Sequence, residues 1–282
     1  MEVLKSKKIL QDFIERQKEM GKKIGFAPTM GALHNGHLSL YEQARKENDL
    51  VISSIFVNPT QFNNPEDLEK YPRDINRDIL ILKNSGLVDA VYIPEVVDIY
   101  PEKAESKHYD FDGLENEMEG KSRPGHFDGV GTVVEELFVQ VKPDNAYFGE
   151  KDFQQLAIIK KLAKKNKIPV KIHGVPIYRA ENGLALSSRN QRLHEDRKDA
   201  SKIIFETLKK VNEWFHTITI QEIKDRVQDV FDDQQGMKLE YFLIADEETL
   251  KETDFFYKGR SFRAFIVVIV DGVRLIDNMH LD

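Results

Sequence analysis

The 282 residues include no cysteine, so disulfides, zinc–thiolate sites and thiol nucleophiles are excluded outright. No long apolar run is present either. The longest, Ala264–Val270, falls far short of the roughly 20 residues a bilayer span needs. Met1 to Met20 is charged and helically periodic and lacks the continuous apolar stretch of a signal peptide. A basic excess is also missing. Lys and Arg number 41 against 48 Asp and Glu, a net charge of −7, which argues against a nucleic-acid partner. A small anionic substrate stays open, because local charge decides that. No repeat or low-complexity tract appears. What is there is an ordinary balance, 40% hydrophobic and 32% charged, as in soluble globular proteins of one large or two modest domains. A cytoplasmic protein with no membrane contact is expected.

Ser6 can cap a first helix with an apolar stripe of Ile9, Leu10, Phe13 and Ile14, ended by Gly21. Strand-like runs follow at Lys23–Ala27, Leu50–Val57, Ala90–Ile93, Asn145–Phe148 and Val170–Gly174. Helical patterns lie between them at Leu38–Glu47, Pro65–Ser85, Val130–Val141 and Phe153–Asn166. This alternation predicts an α/β domain, a doubly wound parallel sheet with helices on both faces. Ligands of such sheets sit beyond the carboxyl ends of the strands. The pattern changes near Pro176. Helices around Ile203–Phe215 and Ile220–Phe231, strands at 238–245, 262–270 and Val273–Met279, and a tight turn at Asp271-Gly272 predict a smaller α+β domain. The expected domains are 1–176 and 177–282.

Five polar clusters fall after strands or in loops able to reach that edge. The first is Pro28-Thr-Met-Gly-Ala-Leu-His-Asn-Gly-His37, where a buried strand turns into a helix carrying His34 and His37 near its positive end. Such an end binds anions, and two imidazoles there can donate to a reacting phosphoryl group. The second places amides Asn58 and Gln61 at a strand end, suited to hydroxyls and carboxylates; Arg73, a little downstream, adds little. The third, Ser122–Val130, is glycine-rich and holds Arg123 and His126. The fourth, Phe148–Gln155, holds Gly149, Lys151 and Asp152 before Gln154 and Gln155 on a helix's first turn. The fifth, Leu186-Ser187-Ser188-Arg189-Asn190, has the make-up of a phosphate clamp. No metal site is expected, since His34, His37 and His126 lack an evident fourth ligand. Read this way, the residues leave open an acid-activating ligase, a nucleotidyltransferase or a nucleotide-binding module.

In order and spacing these clusters resemble the pantoate–β-alanine ligase (pantothenate synthetase) family, over roughly Ile24 to Leu193. The resemblance implies a Rossmann-like sheet of the His-x-Gly-His nucleotidyltransferase type. It implies condensation of pantoate with β-alanine through a pantoyl adenylate, using ATP and magnesium, in a homodimer. It implies that Met30, Gly31, Ala32, Leu33, His34, Asn35, Gly36 and His37 line the ATP site, with His34 and His37 on phosphate and His37 the proton donor. Gly149, Glu150, Lys151 and Asp152 would contact nucleotide, Lys151 on phosphate and Asp152 on ribose. The Tyr178 backbone would touch adenine, where the family often has a smaller or more flexible apolar residue. Leu186, Ser187, Ser188 and Arg189 would close over triphosphate. Gln61 and Gln155 would hold pantoate, Gln61 lying also near β-alanine, with Asn58 and Arg123 counted beside them as substrate-binding. Catalysis would fall to His34, His37, Lys151, Ser187, Ser188 and Arg189.

Overall fold

Ile24–Thr29 and Leu50–Ile55 are buried along nearly their whole length, as strands are when a parallel sheet is covered on both faces. The computed structural model describes all 282 residues. Contacts divide the chain into two compact units, Met1–Glu150 with Gln154–Pro176, and Lys151–Phe153 with Ile177–Asp282.

The first unit runs β1 (Glu2–Leu4), α1 (Lys7–Glu19), β2 (Ile24–Thr29), α2 (Asn35–Glu47), β3 (Leu50–Ile55), α3 (Pro65–Glu69) and α4 (Ile75–Ser85). It continues through β4 (Ala90–Tyr92), α5 (Val96–Ile99), α6 (Met118–Ser122), α7 (His126–Val141), β5 (Asn145–Gly149), α8 (Phe153–Lys165, all but its first residue) and β6 (Lys171–Val175). The six strands form one parallel sheet in the order β1-β4-β3-β2-β5-β6. This is the expected α/β architecture. Chain order reverses between β2 and β5, which pair at Gly25–Asn145 and Phe26–Ala146. Crevices that bind ligands open at such switch points, beyond the strand carboxyl ends.

Successive β2 residues point to opposite faces. Ala27 joins Leu40, Tyr41, Val51 and Tyr147 in a core on one face. Phe26 packs edge-on to Phe138 of α7, centroids 6.4 Å apart, and Phe138 packs edge-on to Phe148 of β5 at 6.3 Å. Cutting so buried a ring to alanine costs about 3–5 kcal/mol.

Two local expectations change. The three-residue β1 was not anticipated; it pairs with β4 at Glu2–Ala90. The helix expected over Pro65–Ser85 is two helices. Pro72 disfavours helical backbone at Tyr71, whose buried ring packs edge-on to Phe62, and Asp74 starts α4 by accepting from Arg77 N at 2.9 Å.

The second unit holds α9 (Glu195–Ala200), α10 (Lys202–Trp214), α11 (Ile220–Asp232), and an antiparallel sheet of β7 (Met237–Asp246), β8 (Phe262–Val270) and β9 (Val273–Leu281) in that order. Ile204, Leu208 and Val211 of α10 and Ile223, Val227 and Phe231 of α11 are buried in one core with β8. Asp271 and Gly272 have φ of 44° and 80°, the left-handed pair a two-residue hairpin wants.

Candidate active site

The turn after β2 is bent by two left-handed residues in succession, Gly31 at φ 83° and Ala32 at φ 50°. A Cβ on residue 31 would lie 2.9 Å from the Asp78 carboxylate, so glycine is required for space as well as for φ. Asp78, on the buried face of α4, accepts from Ala32 N and Leu33 N at 2.8 Å each. Thr29 Oγ1 accepts from Gly31 N at 3.1 Å and donates to Ser54 O at 2.8 Å. A non-glycine residue in the left-handed region stores strain, and these four hydrogen bonds hold it.

That turn delivers His34 and His37 to the start of α2. His34 Nδ1 accepts from Gly36 N at 3.1 Å, and His37 Nδ1 accepts from His34 N at 3.3 Å, a reciprocal cap. The ring centroids are 4.1 Å apart. A nitrogen that accepts a backbone N–H carries no proton, so each neutral ring is protonated on Nε2. Two imidazole N–H donors and a positive helix end therefore share one corner at the switch point.

Beside them, Pro59–Gln61 forms a single 3₁₀ turn capped by Asn58. Asn58 was expected to bind substrate, and its side chain is bonded to protein. Its Nδ2 donates to Gln61 Oε1 and Gly129 O, both at 3.1 Å, and its Oδ1 accepts from Tyr100 OH at 2.6 Å and from Thr60. With its side-chain amide bonded to protein on both ends and only 1% exposed, Asn58 holds the 3₁₀ turn against its neighbours. Burial pushes the Tyr100 hydroxyl above its usual range, which keeps it protonated as the donor. Gln61 has its Oε1 on Asn58, and its Nε2 lies 3.2 Å from Met30 Sδ, a weak acceptor.

Arg123, also expected to touch substrate, donates from Nη2 to the Gln61 carbonyl at 3.0 Å; His126 Nδ1 reaches the same oxygen at 2.8 Å. Arg73 folds back onto Leu68 O and Glu69 O at the end of α3. Gln154 is buried and structural, accepting from Glu119 N and donating to Leu114 O and Glu117 O. Gln155, one helical position on, is half-buried with no hydrogen bond from its side chain to protein, so its amide is available. Gly149 ends β5 with nothing within 4 Å of where a Cβ would stand, open backbone at the switch point; Glu150 follows it.

The other expected residues belong to the second unit. Lys151, Ser187, Asn190 and Asp277 line one small cavity there. The Lys151 carbonyl accepts from Asn278 Nδ2 at 2.9 Å, and its Nζ lies 3.9 Å from the Asp152 carboxylate. Ser187 caps a short 3₁₀ helix, Ser188–Arg192, accepting on Oγ from Arg189 N at 3.1 Å. Tyr178 O accepts from Leu186 N at 3.0 Å, which joins the two ends of the loop between them. Asp277 is bonded twice by Arg179, at 2.6 and 2.9 Å; burial pushes its carboxyl up, against the pull of Arg179 and Lys151.

A family model described as pantoate-beta-alanine ligase matches residues 2–280. The chain belongs to that family. A pantothenate synthetase of Christiangramia forsetii is 51% identical over 282 residues, covering all of both chains. One from Bacteroides fragilis is 43% identical over 279 residues, 99% of this chain and 98% of its own. Among solved structures, the pantothenate synthetase of Thermus thermophilus superposes with a TM-score of 0.90 at 37% identity, covering 99% of each chain. The pantoate-beta-alanine ligase of Francisella tularensis, complexed with beta-gamma ATP and beta-alanine, gives 0.82 at 38% identity, covering 99% of this chain and 97% of its own.

Within this pantoate-beta-alanine ligase fold, sequence reasoning missed three residues that hold the site without being its obvious ligands. Asp78 was legible in principle, as an acid one turn before Leu82 on the buried face of α4. His126 was noticed in the third cluster and as a metal candidate, but not as a partner of Gln61. Asn278 gave no local signal, because its partner Lys151 is 127 positions away.

Proposed function

We propose that this chain joins pantoate to β-alanine with ATP, through an enzyme-bound pantoyl adenylate, releasing pyrophosphate and AMP. A carboxylate is a poor acyl donor because oxide would have to leave. In the first step a pantoate carboxylate oxygen attacks the α-phosphorus, the bond to the bridging oxygen breaks, and pyrophosphate departs. In the second, the β-alanine amine attacks the acyl carbon, AMP leaves, and the amine gives up its proton.

The observation that carries this reading is that Nδ1 of both His34 and His37 accepts a backbone N–H, which leaves the ring proton on Nε2. Two Nε2–H donors at a helix N-terminus suit the charge that builds on phosphate during adenylation. Gln155 and the Gln61 Nε2, whose only protein partner is a thioether, offer the neutral donors a hydroxy acid needs. The Met30 thioether stands against Gln61. Lys151, Ser187, Ser188 and Arg189 are assigned to the triphosphate, Asp152 to ribose, and the Tyr178 backbone to adenine. The amine must arrive neutral, and a desolvated site favours that form. Magnesium is assigned to the MgATP substrate; no group of three or more His, Asp or Glu side chains is arranged to hold a metal. We further assign the working form to a cytoplasmic homodimer. No helix is long and apolar enough to cross a membrane, and Val96, Val97 and Val139 leave apolar surface for a second copy.

Product analysis tests the reading. With MgATP and pantoate, sustained AMP release should require β-alanine and match pantothenate formed one for one. Steady release of a free adenylylated product without amine would instead make the protein a nucleotidyltransferase.

A further inference from the structure

We infer that His126, in the first turn of α7, is a positioning residue for Gln61. Its imidazole, locked in the Nδ1–H tautomer by Arg123, fixes the Gln61 carbonyl and thereby aims the Gln61 amide. The inference rests on the role proposed above for Gln61 in holding pantoate.

Three contacts pin the 3₁₀ turn to α7. His126 Nδ1 lies 2.8 Å from Gln61 O. Asn58 Nδ2 donates to Gly129 O at 3.1 Å. Gly129 lets the backbones meet, since a Cβ there would fall 2.6 Å from Thr60 O and 2.9 Å from Gln61 Cα. The tautomer follows from the partners. His126 Nε2 faces Arg123 Nη1 at 3.4 Å, and a guanidinium offers only N–H groups. Nε2 therefore presents its lone pair, and the proton sits on Nδ1, where the Gln61 carbonyl accepts it. His126 is buried, 6% exposed. This is the opposite tautomer to that of His34 and His37. The same network explains why Arg123 is tied to the backbone: its Nη2 gives the Gln61 carbonyl a second donor at 3.0 Å. With carbonyl and Oε1 both held, the Gln61 Nε2 has one direction to point.

Asparagine carries its N–H where His126 has Nδ1, and glutamine carries its own where His126 has Nε2. His126→Asn should therefore keep the contact to Gln61, while His126→Gln and His126→Leu lose it. Steady-state AMP release is measured for wild type and the three variants, varying pantoate and ATP separately. The expected result is a pantoate KM within about 3-fold of wild type for His126→Asn. For the other two it should rise about 10-fold, the size of one lost hydrogen bond, with the ATP KM unchanged. In a Gln61→Ala background all three should be alike. Equal effects of the three single variants, or a 10-fold rise that persists without Gln61, would overturn the inference. A measurement without mutation stands beside it: ¹⁵N–¹H correlation of the His126 ring in wild type should show protonated Nδ1 and bare Nε2, and the reverse would refute the lock. A wild type whose AMP release ignores pantoate would overturn the proposed function instead, whatever the tautomer.

Discussion

Replacing Asp78 by asparagine keeps the shape of the side chain and removes one of two acceptors. In the native turn the two carboxylate oxygens take Leu33 N and Ala32 N separately, at 2.8 Å each. The asparagine oxygen can keep one. Its NH₂ then faces the other backbone N–H, donor against donor, in a site 1% exposed to water. A hydrogen bond to a charged group contributes about 1.5–3 kcal/mol, and a stranded buried donor costs about 1–3 kcal/mol. Together these give a loss of about 3–5 kcal/mol, enough to lower the midpoint of thermal unfolding by on the order of 10 °C. Asp78→Ala strands both N–H groups and should lose more. The chemistry should suffer too, because Leu33 is followed directly by His34. A shift of about 1 Å in a reacting group can cost on the order of 100-fold in rate. Calorimetry gives the first number and kcat at saturating substrates the second. An Asp78→Asn protein that unfolds within 2 °C of wild type (about 1 kcal/mol) and keeps its kcat would refute the claim that this carboxylate holds the turn.

The remaining expectations concern single side chains. His34→Ala and His37→Ala should each lower kcat by about 100- to 1000-fold with little change in pantoate binding, as loss of a donor to developing charge does; a variant with near-normal kcat would remove that histidine from the assignment. Gln155→Ala should raise the pantoate KM about 10-fold and leave ATP binding, measured by calorimetry without pantoate, as it was. Away from the site, hydrogen bonds from Lys161 and Lys165 hold the Asp112 carboxyl at about 2, below its ordinary 3.8. The folded value is the depressed one, so the stabilisation is complete above pH 3.8 and is lost as pH falls through 2. Carboxyl NMR titration should show that midpoint, and Lys161→Ala should raise it.

Much of this was readable from the chain. Alternating apolar runs and amphipathic stretches implied the parallel sheet, the Asp271-Gly272 pair implied the last hairpin, and the spacing of His34 and His37 placed both on a helix start. What stayed hidden depends on partners distant in sequence. The β1 strand is three residues long, too short for periodicity, and exists because β4 offers an edge 88 positions away at Glu2–Ala90. Nothing near Asn58 in sequence shows that Gly129 and Tyr100 are the partners of its side chain. The helix of α7 begins at His126, four residues before its apolar stripe, so the histidine read as loop. Lys151–Phe153 sits between two stretches of the first unit yet belongs to the second, and the hydrogen bond from Asn278 that ties it there has no signature near residue 151.

The account stands on adenylation preceding amide formation. Exchange of labelled pyrophosphate into ATP tests that order most directly. With MgATP and pantoate present and β-alanine absent, label should enter ATP at a steady rate, and His34→Ala and His37→Ala should each suppress it. Label that enters ATP only after β-alanine is added would contradict the account.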